Sequence, residues 1–200
     1  PLEAIDSHTW LARLDQGPTA SFKDFAARFM ARAMAYFKPA GQQVTVLVAT
    51  SGDTGSAIGE AFKGLEGFRV YILYPENEVS TIQKKQLDTI GQNVQAIAVN
   101  GKFDDCQAMV KRAFSDPDPD LQPLNLTSAN SINLGRILPQ IVYYFYCYVN
   151  CVDSMEPAVI SVPSGNFGNS LGCEIARRMG LPIDKIIIAT NANDEFPAFL

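Results

Sequence analysis

The sequence predicts an α/β fold built on a mainly parallel sheet. Short β-branched or aliphatic runs alternate with amphipathic helical patterns along the chain, which is the signature of βαβ units. Two of those runs lead straight into loops rich in glycine and polar residues that open helices, the usual position for ligand loops in open parallel sheets. At 200 residues, with 47% hydrophobic and 18% charged content, the chain has enough apolar material for a real core.

The expected strands are Val44 to Ala49, Arg69 to Leu73, Asn93 to Val99, Ala158 to Val162 and Lys185 to Ala189. Helices are expected between them, at Phe22 to Tyr36, Gly55 to Phe62, Thr81 to Thr89, Asp104 to Phe114, Leu134 to Val149 and Asn169 to Met179. Ser80 followed by Gln83 has the spacing of a capping box and marks the start of the third helix. Asp116-Pro117-Asp118-Pro119-Asp120 reads as an exposed loop, because proline restricts itself and disfavours helix in the residue before it. The most apolar stretch, Ile137 to Val149, is interrupted by Pro139 and Gln140 and is too short for a bilayer, so it reads as a buried helix. A discontinuous arrangement is expected, with residues 42–127 forming a smaller lobe that interrupts a larger one made of 1–41 and 128–200.

A net charge of -5 and a pI near 4.9 argue against a nucleic-acid binder, which needs clustered Lys and Arg to displace counterions. Any anionic ligand must then be gripped locally, by backbone N–H groups and a few placed cations, and that favours a small ligand. Cys106, Cys147, Cys151 and Cys173 form no CxxC pair and His8 is the sole histidine, so neither a zinc site nor a disulfide framework is indicated. Reduced, buried thiols in a cytosolic protein are the default, and no signal-peptide pattern opens the chain. A start at Pro1 and a stop at Leu200, just after a helix-like beginning, read as an internal fragment.

Three loops and one lysine carry the chemistry. Thr50-Ser51-Gly52-Asp53-Thr54 joins a strand to a helix and offers glycine flexibility, hydroxyl donors and the free N–H groups of a helix N-terminus. It suits an anion, or it is an ordinary capped βα turn; Asp53 fits an anion pocket only if it faces a different group. Ser164-Gly165-Asn166-Phe167-Gly168-Asn169 repeats the logic, with two glycines flanking a potential nest of N–H groups. Asn130-Ser131-Ile132-Asn133-Leu134-Gly135-Arg136 places amides and a hydroxyl ahead of an arginine able to bind an oxyanion bidentately, although caps and a solvated arginine would look the same. Lys23 lies between Phe22 and Phe25 at the mouth of a helix. Desolvation there would lower its pKa toward a nucleophilic amine, the competing reading being a snorkelling surface lysine.

Taken in order, GPTASFKDF at Gly17 to Phe25, ATSGDTGSA at Ala49 to Ala57, NSINLGRIL at Asn130 to Leu138 and SVPSGNFGN at Ser161 to Asn169 resemble the threonine synthases of bacteria and fungi, within the fold-type II pyridoxal-phosphate enzymes. The similarity continues through Ile72-Leu73-Tyr74-Pro75, Phe103-Asp104-Asp105-Cys106 and Ile141 to Tyr146, and so covers nearly the whole chain. The resemblance implies two three-layer α/β lobes with mainly parallel sheets, pyridoxal 5'-phosphate as cofactor, and a small phosphorylated amino acid, O-phospho-L-homoserine, converted with water to L-threonine and phosphate. It implies that Lys23 holds the cofactor covalently and shuttles protons, that Ser164, Gly165, Asn166, Phe167, Gly168 and Asn169 take the cofactor phosphate, and that Asp53 lies by the cofactor ring. Thr50, Ser51 and Thr54 would contact the substrate, while Asn130, Ser131 and Arg136 would grip its phosphate. No metal, nucleic acid or membrane is implied, the location is cytoplasmic, and the oligomeric state stays open. Many members carry a histidine just before the GPT motif where this chain has Gln16, and the family adds segments on both sides, among them the group facing the pyridine nitrogen. The alternatives are another fold-type II lyase or β-replacing enzyme, which would not need the Asn130, Ser131 and Arg136 grip, and a truncated or degenerate homologue that only binds ligand.

Overall fold

The structure is a computed structural model that describes residues 2–130, 133–153 and 155–192. Its elements begin with β1 (Leu2–Ala4), β2 (Trp10–Ala12), α1 (Lys23–Phe37), β3 (Val44–Ala49) and α2 (Asp53–Phe62). They continue with β4 (Phe68–Pro75), α3 (Thr81–Asp88), β5 (Val94–Val99), α4 (Phe103–Ser115) and β6 (Leu126–Ser128). The last are α5 (Leu134–Ile137), α6 (Ile141–Cys151), β7 (Ala158–Pro163), α7 (Gly168–Arg178) and β8 (Ile183–Ala189). Two compact units result: Leu14–Arg136 is one, and the described residues of 1–13 and 137–200 make the other. The segment 42–127 lies wholly inside the first.

In the unit Leu14–Arg136 the strands stand in the order β5-β4-β3-β6, and every neighbouring pair is parallel. The sheet is covered on both faces, as the absence of a polar alternation in VTVLVA and FRVYILYP requires. Val46, Val48, Val70, Ile72 and Tyr74 point to one side, where Ala27, Met30 and Ala31 of α1, Ala57, Ile58 and Phe62 of α2, and Leu87 of α3 close the core. Leu47, Ala49, Tyr71 and Leu73 point to the other, against Cys106 and Val110 of α4. Strict alternation along β3 and β4 thus yields a three-layer sandwich. Helix α2 comes close to the sheet because Gly55 and Gly59 carry no side chain: a Cβ at Gly55 would lie 2.8 Å from Ile72 Cγ2, and one at Gly59 only 2.4 Å from Ile90 Cδ1.

In the other unit β7 and β8 pair in parallel, with Ile160 opposite Ile186, while β1 and β2 form an antiparallel pair that sets Leu2 opposite Ala12. Helix α7 packs on β8 and on α6. The helix expected over Leu134 to Val149 is interrupted: α5 ends at Ile137, a 3-10 turn spans Leu138–Gln140, and α6 starts at Ile141. Pro139 has no N–H to continue the ladder and its ring crowds the preceding turn, so the helix restarts after it. Burial is also one-sided there, since Ile141, Tyr144 and Tyr148 are covered while Val142 and Val149 are 62% and 68% exposed. Among the described residues no helix is long and apolar enough to cross a membrane. Cys106 and Cys173 are buried and Cys147 and Cys151 half-buried, all as free thiols.

Candidate active site

Lys23 is the first residue of α1, and the turn before it is tied down by its neighbour Asp24. Asp24 is buried, and its carboxylate accepts from Thr19 Oγ1 at 2.6 Å, Thr19 N at 2.9 Å and Ser21 N at 3.4 Å. That clamp holds the turn from which the chain enters α1 at Lys23. The Lys23 side chain is 16% exposed, its Nζ 5.4 Å from the Phe22 ring centre and 3.7 Å from Asp53 Oδ2. Burial pulls its pKa below the ordinary lysine range; Asp53 opposes that shift and the charge of Arg136 adds to it. The desolvation expected from the flanking aromatics is therefore present, and the snorkelling alternative is not what the structure shows.

Asp53 has the different group that its place in an anion loop demanded. One carboxylate oxygen faces Lys23 and the other accepts from Gln83 Nε2 at 2.8 Å. The preceding turn is held from within: Thr50 Oγ1 accepts from Gly52 N at 3.0 Å and Gly55 N at 2.9 Å and donates to Gly52 O at 3.0 Å. Thr50 is buried with its hydroxyl committed to the loop, whereas Ser51 is exposed and Thr54 half-buried. Gly52 sits at φ 143°, a conformation open in practice to glycine alone.

Arg136 is among the largest fully buried side chains, 2% exposed, with Nη1 donating to Ala129 O at 2.9 Å. A solvated helix-start arginine is thereby excluded. Its turn is built by Asn133, whose Nδ2 donates to Ser128 O at 2.9 Å, whose Oδ1 accepts from Gly135 N at 2.8 Å, and whose carbonyl accepts from Arg136 N at 2.8 Å. Asn130 is half-buried, and its Oδ1 is out of contact with solvent and without a hydrogen-bond partner among the described residues. Ser131 lies outside the described residues. Lys23, the Thr50–Thr54 loop, Asn130 and Arg136 all belong to the unit Leu14–Arg136.

The loop Ser164–Asn169 belongs to the other unit, between β7 and α7. Its left-handed residue is Phe167, at φ 58°, rather than either glycine. Phe167 is the N-cap of α7, whose first turn carries no acidic side chain. Gly165 and Asn166 are exposed, and a Cβ at Gly165 would meet nothing within 4 Å, so the backbone is open to an approaching group. Ser164 N donates to Ala189 O at 2.9 Å and Asn166 Oδ1 accepts from Gly168 N at 3.4 Å. Asn169 is buried and fixed by the Tyr144 hydroxyl, which contacts its Oδ1 and donates to its backbone oxygen at 2.9 Å. Sequence reasoning missed Thr19, Asp24 and Tyr144 as builders of these loops and had Asn133 as an anion-binding amide or a cap. It saw Gln83 only as a cap.

One unit thus holds a buried amine of depressed pKa and a buried arginine close enough to influence it, and the other holds an open N–H loop at a helix start. The sequence matches the pyridoxal-phosphate dependent enzyme family over residues 2–200, and the chain belongs to that family. Within it the chain is 46% identical to a threonine synthase of Haemophilus influenzae over 201 residues, covering 100% of this chain and 47% of that protein. Among solved structures, threonine synthase from Escherichia coli superposes with a TM-score of 0.88 at 43% identity, covering 100% of this chain and 46% of the other. A pyridoxal-phosphate-bound threonine synthase from Brucella melitensis does so with a TM-score of 0.87 at 42% identity, covering 98% and 42%. The chain thus spans about half the length of the curated relatives it matches.

Proposed function

We propose that this protein converts O-phospho-L-homoserine and water to L-threonine and phosphate with pyridoxal 5'-phosphate as cofactor. The observation that carries the reading is the Lys23 amine, buried and of depressed pKa, with Asp53 at 3.7 Å and the buried Arg136 acting on it. The residues fit the cofactor. An amine that sheds its proton easily can hold the aldehyde carbon, and the exposed backbone of Gly165 and Asn166 at the start of α7, free of carboxylates, suits a phosphate. When bound, pyridoxal phosphate supplies an electron sink for carbanions on the amino-acid skeleton.

Lys23 would hold the cofactor through its amine and would take and return protons at Cα and Cβ of the substrate. Asp53 favours the protonated form of that amine and so retains the proton between the two transfers. Arg136 would take the substrate phosphate, since its guanidinium is a permanent planar cation able to bind an oxyanion bidentately, and Asn130 lies on the same segment. Ser51 and Thr54 would contact the substrate, while the Thr50 hydroxyl keeps their loop in shape. Four free thiols suit a reducing compartment, the cytoplasm.

The test uses the full-length protein. Incubated with pyridoxal phosphate and O-phosphohomoserine it is expected to release phosphate, and borohydride is expected to fix the cofactor on Lys23. Lys23→Ala should lose both. Phosphate release that survives Lys23→Ala refutes the reading, and turnover untouched by Arg136→Ala moves the assignment to a related lyase acting on an unphosphorylated substrate.

A further inference from the structure

We infer that Gln83 is a positioning residue for the lysine, holding Asp53 in register with Lys23 through the half of its amide that the cap of α3 leaves over. The capping box uses Gln83 N, which donates to Ser80 Oγ at 3.2 Å, and Gln83 Oε1, which accepts from Ser80 N at 3.0 Å. A glutamate would serve the box as well. Only an amide has a second, donating end, and here Nε2 donates to Asp53 Oδ1 at 2.8 Å across a sequence separation of 30. The other oxygen of Asp53 is then the one that stands 3.7 Å from Lys23 Nζ.

The amide lies directly over Gly52, where an added Cβ would come within 2.3 Å of Nε2. A glycine at φ 143° and a glutamine on another helix thus share one small space in front of Asp53. The Asp53 side chain is 49% exposed, and the internal bonds of the Thr50 loop fix its backbone but not its carboxylate. Without the Gln83 amide the carboxylate is free to turn toward solvent or toward the N–H groups of its own helix. Asp53 and Arg136 are the charged groups that act on Lys23, and they act in opposite directions, so the position of Asp53 sets the balance. Through Gln83 the start of α3 controls how readily Lys23 gives up its proton.

This rests on the reading of Lys23 as the cofactor lysine. The test measures how fast the full-length protein, stripped of cofactor, captures added pyridoxal phosphate across a pH series, followed by the visible absorbance that disappears when borohydride fixes the cofactor on Lys23. Only the neutral amine attacks the aldehyde, so capture accelerates with rising pH. In Gln83→Met the midpoint is expected to fall by roughly 0.5 pH unit, the size of an exposed ion pair. Ser80→Ala breaks the other half of the capping box but keeps the amide, and should leave the midpoint where it was. Placed on top of Asp53→Asn, Gln83→Met should shift nothing further. An unchanged midpoint in Gln83→Met, an equal fall in Ser80→Ala, or a further fall in the Asp53→Asn background overturns the inference while leaving the lysine assignment intact. Cofactor fixed by borohydride elsewhere than on Lys23 overturns both.

Discussion

Replacing Asp24 by alanine removes the clamp on the turn that delivers Lys23, and the cost follows from what is left behind. Asp24 is 1% exposed, and its carboxylate is the acceptor for Thr19 Oγ1, Thr19 N and Ser21 N. Thr19 and Ser21 are themselves 9% and 8% exposed, so donors deprived of Asp24 meet little water. A buried donor left unsatisfied costs ~1–3 kcal/mol. The turn also contains Ala20 at φ 54°, a left-handed conformation that costs an L-residue ~1–2 kcal/mol and that the same bonds sustain. Partial relaxation of the turn recovers some of this, and the expected net loss is about 3 kcal/mol. Asparagine is a finer probe. Its carbonyl oxygen can keep the two N–H donors while the Thr19 hydroxyl turns round to accept from its amide, so Asp24→Asn should cost only about 1 kcal/mol. The assay is urea unfolding of the full-length protein followed by far-UV circular dichroism, with both variants measured beside the parent. A loss below about 1 kcal/mol for Asp24→Ala would show that the clamp is ornamental and that the turn is held by other contacts.

Tyr144→Phe removes the hydroxyl that fixes Asn169, and burial holds that hydroxyl far above its ordinary pKa, so it stays a donor throughout the working range. The affinity for pyridoxal phosphate, read by spectroscopic titration, is expected to weaken about tenfold, which corresponds to the ~1.4 kcal/mol of one well-placed hydrogen bond. Gly55→Ala gains ~1 kcal/mol of helix propensity but places a Cβ 2.6 Å from Thr50 Cγ2 and 2.8 Å from Ile72 Cγ2, both stiff β-branched side chains. Overpacking of this kind costs ~1–3 kcal/mol, so a lowered melting temperature is expected, and a raised one would refute the close approach of α2 to the sheet. Glu174 is bonded by Arg177 and Arg178, which hold its carboxyl at about 2. A depressed carboxyl contributes stability above its unfolded pKa, and that contribution disappears as pH falls from ~4.5 toward the folded value. Glu174→Gln should therefore lower stability by about 0.5 kcal/mol at pH 7, as an exposed pair does, and by a clearly smaller amount in thermal melts at pH values near the folded pKa.

Periodicity made most of the fold legible because most of its elements are long enough to show a period. Val44–Ala49 matches its expected bounds, and the other expected strands are extended or trimmed only at their ends, as in Phe68–Pro75 and Val94–Val99. The unpredicted strands are β1, β2 and β6, each of 3 residues. Three residues carry no alternation, and β6 is a strand only because Thr45, Val46 and Leu47 of β3 pair with it from far along the chain. Pro139 was visible, yet the apolar run around it outweighed the break, and the local cost of proline decided the outcome.

The candidate site divides along the same line. Local chemistry left Lys23 open between a desolvated amine and a snorkelling side chain, and the ordered motifs around it favoured the amine. What sets the sign and size of the remaining shift is Asp53 and Arg136, brought up by a βα turn and by the segment after β6, and no spacing rule reaches across those distances. Arg136 shows the difference most sharply. From sequence it was a helix-start arginine of the kind that is normally solvated, and only the packing of the unit around it makes it a buried cation. A guanidinium is a permanent planar cation suited to binding an oxyanion bidentately, and that chemistry is what directs the proposal toward a phosphorylated substrate.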